Sequence, residues 1–418
     1  MDAVAIGLGS MIGAGVFAAF TPAAQAAGSG LLIGLVVAAL VAWCNASSSA
    51  QLAAVYPASG GTYVYGRERL GPWWGFFAGW SFVIGKTASC AAMALTFAAY
   101  VAPPQWQRPL AALAVVALVT INLFGITRTA LATKIIVAVV LLVLGIGISG
   151  GLSTGLPELD LGAGLLAHGW YGILQSAGLL FFAFAGYARI ATLGEEVREP
   201  ARTIPRAIGI AFGIVVVIYA LVAVAVLGAL GPDALAAEPA ALSAAVAAAG
   251  WGWAEPVLRA GAAAASLGAL LALIAGIGRT SLAMAREGDL PRLLAAVHPV
   301  SHVPHRAELL VGAAVVALVL LVDLRGAIGF SSFGVLLYYF VANAAAFTQP
   351  RQQRRVPRAV PALGALGCLV LVVTLPWQAV LTGLGVLAAG ALWRALSRRV
   401  RAGGEHKLDA NAEEGREV

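Results

Sequence analysis

Apolar stretches long enough to cross a bilayer recur along this chain from its first residues almost to its end, and no other feature restricts its fold so strongly. A hydrocarbon core about 30 Å thick takes about 20 apolar residues in helical form. A soluble domain would split its apolar residues into amphipathic stripes rather than long runs. It would also carry about a quarter charged residues, whereas 11% of these 418 residues are charged and 61% are hydrophobic. A soluble globular fold is thereby excluded. The fifty glycines suit helices that pack closely in lipid.

Breaks at Gly, Pro and charge clusters divide the chain into twelve expected spans: 3–26, 30–55, 72–101, 109–127, 130–150, 170–194, 206–230, 255–278, 306–323, 326–348, 358–375 and 376–395. The expected class is therefore an all-α integral membrane protein. The first segment opens Met1-Asp2 with no basic leader and no cleavage site, and reads as a span rather than a signal peptide. Basic residues set the orientation. One set of connections holds Arg67, Arg69, Arg128, Lys134, Arg198, Arg202, Arg206, Arg279, Arg286, Arg292, Arg306, Arg351, Arg354, Arg355 and Arg358. The other holds only Arg108, Arg259 and Arg325. The expected arrangement is a multi-pass protein of the cell membrane with both termini cytoplasmic. The net charge of +7 then faces anionic lipid, and nucleic-acid binding need not be invoked. The segment 396–418 begins basic, ends acidic and lacks apolar residues for a core, which predicts disorder.

Cys44, Cys90 and Cys368 lie far apart within apolar runs and read as buried free thiols. His298, His302 and His305 share a polar loop with no acidic or Cys partner at metal-ligand spacing. No metal or cofactor is expected.

Two spans carry interruptions. The first contains Gly7, Gly9, Gly13 and Gly15 within nine residues, each weakening a helix by about 1 kcal/mol relative to Ala. Close packing through the Gly9/Gly13 pair is the plain reading. The sixth span contains Phe181-Phe182-Ala183-Phe184-Ala185-Gly186-Tyr187-Ala188-Arg189, a Gly among aromatics followed by a mid-span Arg. Broken helices at membrane depth are tolerated where the freed backbone groups line a cavity or meet partners. Corresponding breaks in two halves point to a transport site built on inverted repeats.

At this point the chain resembles the amino acid–polyamine–organocation permeases, close to their cationic amino acid transporter-like members. The matching stretches are Gly9-Ser-Met-Ile-Gly13-Ala-Gly15-Val-Phe17, Tyr56-Pro-Ala-Ser-Gly60-Gly61-Thr-Tyr63-Val-Tyr65 and Phe182-Ala-Phe-Ala-Gly186-Tyr187. Two more are Glu195-Glu196-Val-Arg-Glu-Pro200-Ala-Arg-Thr-Ile-Pro205-Arg206 and Arg279-Thr-Ser-Leu-Ala-Met-Ala-Arg286-Glu-Gly288-Asp289-Leu-Pro291. Their order and spacing cover about the first 310 residues. The resemblance implies a ten-helix core of five-plus-five inverted repeats over 1–348, with repeats at about 1–150 and 170–348. Two peripheral helices would follow at 349–395, then the tail 396–418.

The implied activity is secondary transport of amino acids by alternating access, proton-coupled or exchanging. Exchange of polyamines or cationic amino acids, or amino acid sensing without transport, are the alternatives. Unwound Ile12, Gly13, Ala14 and Gly15 would present N–H groups to a substrate carboxylate at the start of a half-helix. Carbonyls around Phe184, Ala185 and Gly186 would accept the α-ammonium, with Phe184 or Tyr187 as a lid. Lys86, central in the third span with no acid on its own helix, is the candidate protonatable group or a barrier to cationic side chains. Arg189 could pair with Glu195 or Glu196 as an inner gate. The run Arg286-Glu-Gly288-Asp289 reads as a turn between the eighth and ninth spans. With no Asp or Glu at mid-span to hold a cationic side chain, neutral substrates are preferred. A membrane-embedded enzyme would need an acid–base, nucleophilic or metal constellation at helix depth that the spans lack. A channel would need a filter or a regular charged pore lining, and neither is present.

Overall fold

The computed structural model describes residues 2–56, 60–125, 130–159, 161–191, 197 and 199–414, which are helices, turns and short connections with no strand among them. The first expected span is divided into α1 (Asp2–Met11), α2 (Ala14–Ala18) and α3 (Phe20–Ala27). A single turn of 3-10 helix, Gly28–Gly30, then reverses the chain into α4 (Leu31–Val55). Gly28 sits at φ 53°, a left-handed conformation that favours a residue without a Cβ. A short helix, α5 (Thr62–Leu70), precedes α6 (Pro72–Val101), α7 (Pro104–Leu123) and α8 (Ala130–Ser153). The second half opens with α9 (Gly169–Phe184), a 3-10 turn at Ala185–Tyr187 and α10 (Ala188–Ala191). It continues through α11 (Pro200–Ala237), α12 (Ala241–Ala248), α13 (Glu255–Arg286), α14 (His305–Leu321) and α15 (Leu324–Phe347). Two last helices, α16 (Ala359–Thr374) and α17 (Trp377–Glu414), close the chain.

Nine helical stretches among the described residues are long and apolar enough to cross a membrane. One of them, Phe20–Val55, includes the Gly28–Gly30 turn, so it holds the end of the first expected span and all of the second. Departures from the expected bounds have local causes. Helix α7 begins at Pro104, because a proline fits the first turn, where its missing N–H is not needed. Pro109 therefore lies inside that helix rather than at its start. Helix α11 starts at Pro200 on the same principle, and a bend at Gly231 (φ 78°) separates its last turns. Helix α17 runs on to Glu414, through the segment whose composition predicts disorder.

The described helices sort into a packed centre and a lipid-facing rim. Helix α6 packs along α13 and α15, α4 along α9 and α11, α1 along α8 and α11, and α7 along α14. Gly85 of α6 and Gly334 of α15 meet backbone to backbone: a Cβ on Gly334 would lie 2.7 Å from Gly85 Cα. Helices α4 and α15 join through buried polar side chains, with Ser48 Oγ donating to Asn343 Oδ1 (2.7 Å) and Asn343 Nδ2 to Asn45 Oδ1 (2.6 Å). Cys368 Sγ lies 3.4 Å from the same Asn45 oxygen. Such bonds between helices are the usual polar adhesive in lipid. All three cysteines are buried and unbridged. Exposed Trp106, Trp170, Trp253 and Trp377 stand at or beside the starts of α7, α9, α13 and α17, as a belt at one water–lipid boundary would require.

Candidate functional site

The first interruption falls where the glycines place it. The last regular bond of α1 runs from Ile12 N–H to Leu8 O (2.7 Å), and Gly13 leaves helical space at ψ −138°. The helix restarts at Ala14, and the bonds Ala19 N–H to Gly15 O (3.0 Å) and Ala23 N–H to Ala19 O (3.2 Å) carry the ladder into α3. Ile12, Gly13, Ala14 and Gly15 are all buried. In the other half, α9 ends at Phe184 and tightens into the 3-10 turn Ala185–Tyr187.

The two breaks touch. A Cβ on Gly186 would lie 2.2 Å from Ser10 O, and one on Gly15 would lie 2.7 Å from Ala183 Cα. Only glycine permits this approach of main chain to main chain. Gly13 faces α13, where its Cβ would meet that of Ala269 at 2.9 Å. One turn away, Ser266 is fully buried and its hydroxyl has no partner among the described residues.

Backbone carbonyls released at the breaks are held by side chains from neighbouring helices. Lys86 Nζ donates to Ala185 O at 3.3 Å, and Tyr339 Oη of α15 donates to the same oxygen at 3.2 Å. Tyr219 Oη of α11 lies 2.5 Å from Met11 O and 3.0 Å from Ala183 O, so a single hydroxyl bridges both broken segments. Phe184 is fully buried with its ring centroid 5.0 Å from that of Tyr219 and 5.8 Å from that of Phe212. Tyr187 stacks on Tyr339 at 4.8 Å. Lys86 is 8% exposed, and its ammonium is turned into the centre rather than led out to the interface.

Arg189 is exposed. Its suggested partners, Glu195 and Glu196, lie outside the described residues. The turn after α13 is more than a connection. Asp289 is 2% exposed and forms ion pairs with Arg394 of α17 (2.9 Å) and Arg67 of α5 (3.3 Å), while Tyr63 Oη donates to it at 2.9 Å. Burial and the neighbouring Asp289 push the Tyr63 phenol above its ordinary pKa. Arg67 also reaches Glu287 (2.9 Å), and Arg394 lies over the rings of Trp73 and Phe76 at 4.7 Å each. At the opposite pole Asp323 caps α15 by accepting from Gly326 N–H (2.8 Å), and Arg325 reaches Gln175 (2.9 Å).

Sequence reading singled out the breaks and Lys86 but missed Tyr219, Tyr339, Asp289 and Arg394. The only available signals were tyrosines inside otherwise apolar runs and an arginine at the end of the last expected span.

Comparison with known proteins accords with this architecture. A family model described as amino acid permease matches residues 1–390. An uncharacterized transporter of Mycobacterium tuberculosis is 60% identical over 408 residues, covering 96% of this chain and 92% of that protein. The branched-chain amino acid permease of Bacillus subtilis is 27% identical, covering 93% of this chain and 90% of its own. Cationic amino acid transporter 4 of Arabidopsis thaliana, a vacuolar protein, is 29% identical, with 81% and 60% covered. With two interrupted helices meeting at the centre of an all-helical membrane protein and a family match along nearly its whole length, the chain belongs to the amino acid permease family of the amino acid–polyamine–organocation superfamily.

Proposed function

We propose that this permease moves amino acids across the cytoplasmic membrane by alternating access, coupled to protons or by exchange, with its substrate held by the backbone groups of the two helix breaks when alternating access parts them. The observation that carries the reading is the meeting of the breaks at Ser10, Gly186, Gly15 and Ala183. There the chain offers the N–H groups of Gly13, Ala14 and Gly15 to a carboxylate and the carbonyls of Phe184, Ala185 and Gly186 to an ammonium. A zwitterionic amino acid presents those two groups on neighbouring carbons. Phe184 and Tyr187 close the site from the second break.

The architecture proposed is twelve spans, ten of them in two inverted repeats, with α16 and α17 peripheral. The packing supports this. When α1–α3 is paired with α9–α10, α4 with α11, α6 with α13, α7 with α14 and α8 with α15, the contacts map onto themselves. The α4–α9 contact becomes α11 with α1 and α3, α6–α15 becomes α13–α8, and α15–α9 becomes α8–α1. The orientation proposed places both termini in the cytoplasm, with the buried Asp289–Arg394 pair at the inner end.

Lys86 is the proposed coupling group. Its ammonium holds the Ala185 carbonyl of the second break, which leaves the neighbouring carbonyls of Phe184 and Gly186 to a substrate amine. Release of its proton would weaken that hold and let the break move. Uptake of labelled amino acids into proteoliposomes under an imposed pH gradient tests this. Accumulation should collapse when the gradient is dissipated, and Lys86→Ala should remove the response to the gradient. A variant that retains the wild-type pH profile would dismiss Lys86 as the coupling group. No flux of any amino acid through demonstrably folded protein would put the sensor reading ahead of the carrier.

A further inference from the structure

Lys86 is a cation buried at the meeting point of the two breaks, and the structure gives it little to balance its charge. Its position is fixed by the backbone contact of Gly85 with Gly334, which brings α6 against α15 one residue before the lysine. An ammonium has three N–H donors and no acceptor. Here one donor meets a neutral carbonyl, Ala185 O, at 3.3 Å, and that carbonyl already receives the Tyr339 hydroxyl. Among the described residues no carboxylate forms an ion pair with Lys86, although Arg67, Arg202, Arg259 and Arg394 all have acidic partners. Burying a charge without a counter-charge is costly, and the cost is relieved when an opposite charge arrives with good geometry.

We propose that Lys86 receives the side-chain carboxylate of an acidic amino acid, which makes aspartate- or glutamate-like molecules the preferred substrates. The inference rests on the amino acid transport reading above and narrows it. In that reading the α-carboxylate and α-ammonium are taken by backbone groups at the two breaks. The surplus charge of an acidic substrate is then the group left to meet the N–H donors of Lys86 that Ala185 does not use. A carboxylate there forms charge-assisted bonds, stronger than those between neutral groups. A cationic side chain or a polyamine would set like charge beside Lys86. A neutral side chain would bring the ammonium no counter-charge. The absence of mid-span acids disfavours cationic substrates; the unbalanced Lys86 separates acidic from neutral ones.

The test is counterflow in proteoliposomes containing the full-length protein, with labelled glutamate, aspartate, leucine and arginine as probes, for wild type, Lys86→Met and Lys86→Arg. Wild type is expected to move glutamate or aspartate faster than leucine and arginine. Loss of the ammonium in Lys86→Met should reduce acidic flux by about tenfold or more and reverse the preference between glutamate and leucine, while Lys86→Arg keeps the acidic preference. Wild type that moves leucine or arginine and excludes both acids would overturn the assignment of Lys86 and leave the transport reading standing. Flux of none of the four, together with no binding of them to folded protein, would overturn both. The wild-type panel decides the question even where Lys86→Met does not fold.

Discussion

At the residue scale, the site depends on positions where a single methyl group has no room. Gly186 lies against the main chain of Ser10, and Gly15 against that of Ala183. Neither neighbour is a side chain that could swing aside. Gly186→Ala is therefore expected to separate the two breaks, costing about 1–3 kcal/mol of stability as overpacking does and reducing uptake to background. Gly213→Ala on α11, where an added Cβ meets nothing within 4 Å, is the matched control. It should transport normally and gain up to about 1 kcal/mol from helix propensity. Melting temperature and proteoliposome flux of the pair check both outcomes. The glycines and Lys86 were legible in the sequence because Gly clusters and an intramembrane cation are rare enough to stand out. Tyr219 was not, since nothing in Val215-Val216-Val217-Ile218-Tyr219 tells that its hydroxyl reaches Met11 and Ala183 from another helix.

At the scale of elements, the last helix is tied to the rest by a buried charge pair. Arg394 is 1% and Asp289 2% exposed, and they join α17 to the turn after α13, beside Tyr63 and Arg67 of α5. Removing one partner from such a pair leaves the other buried without compensation, at a cost of about 3–5 kcal/mol. Arg394→Ala should accordingly lower the melting temperature more than Arg259→Ala, whose ion pair with Glu255 lies at the surface and contributes about 0–1 kcal/mol. Equal effects of the two substitutions would show that the pair does not fasten α17. From the sequence Asp289 reads as part of a simple turn and Arg394 as the end of the last span, because partners far apart along the chain leave no local pattern.

For the whole molecule, the lopsided basic residues predict which face is which. The native thiols are buried, so introduced cysteines can report without background. Gly252→Cys, exposed before α13, should react with an impermeant maleimide on intact cells, and Gln352→Cys, exposed before α16, only after permeabilisation. The reverse pattern would invert the topology. The all-helical membrane class, the two interruptions and the family were determined by the sequence alone, because hydropathy over about 20 residues and helix weakening by glycine are local properties that lipid enforces one segment at a time. Tertiary structure alone decided which carbonyls the breaks release and which side chains receive them. Lys86, Tyr339 and Tyr219 reach the breaks only because α6, α11 and α15 pack there, and the bonds they form join residues as far apart as 208 positions along the chain.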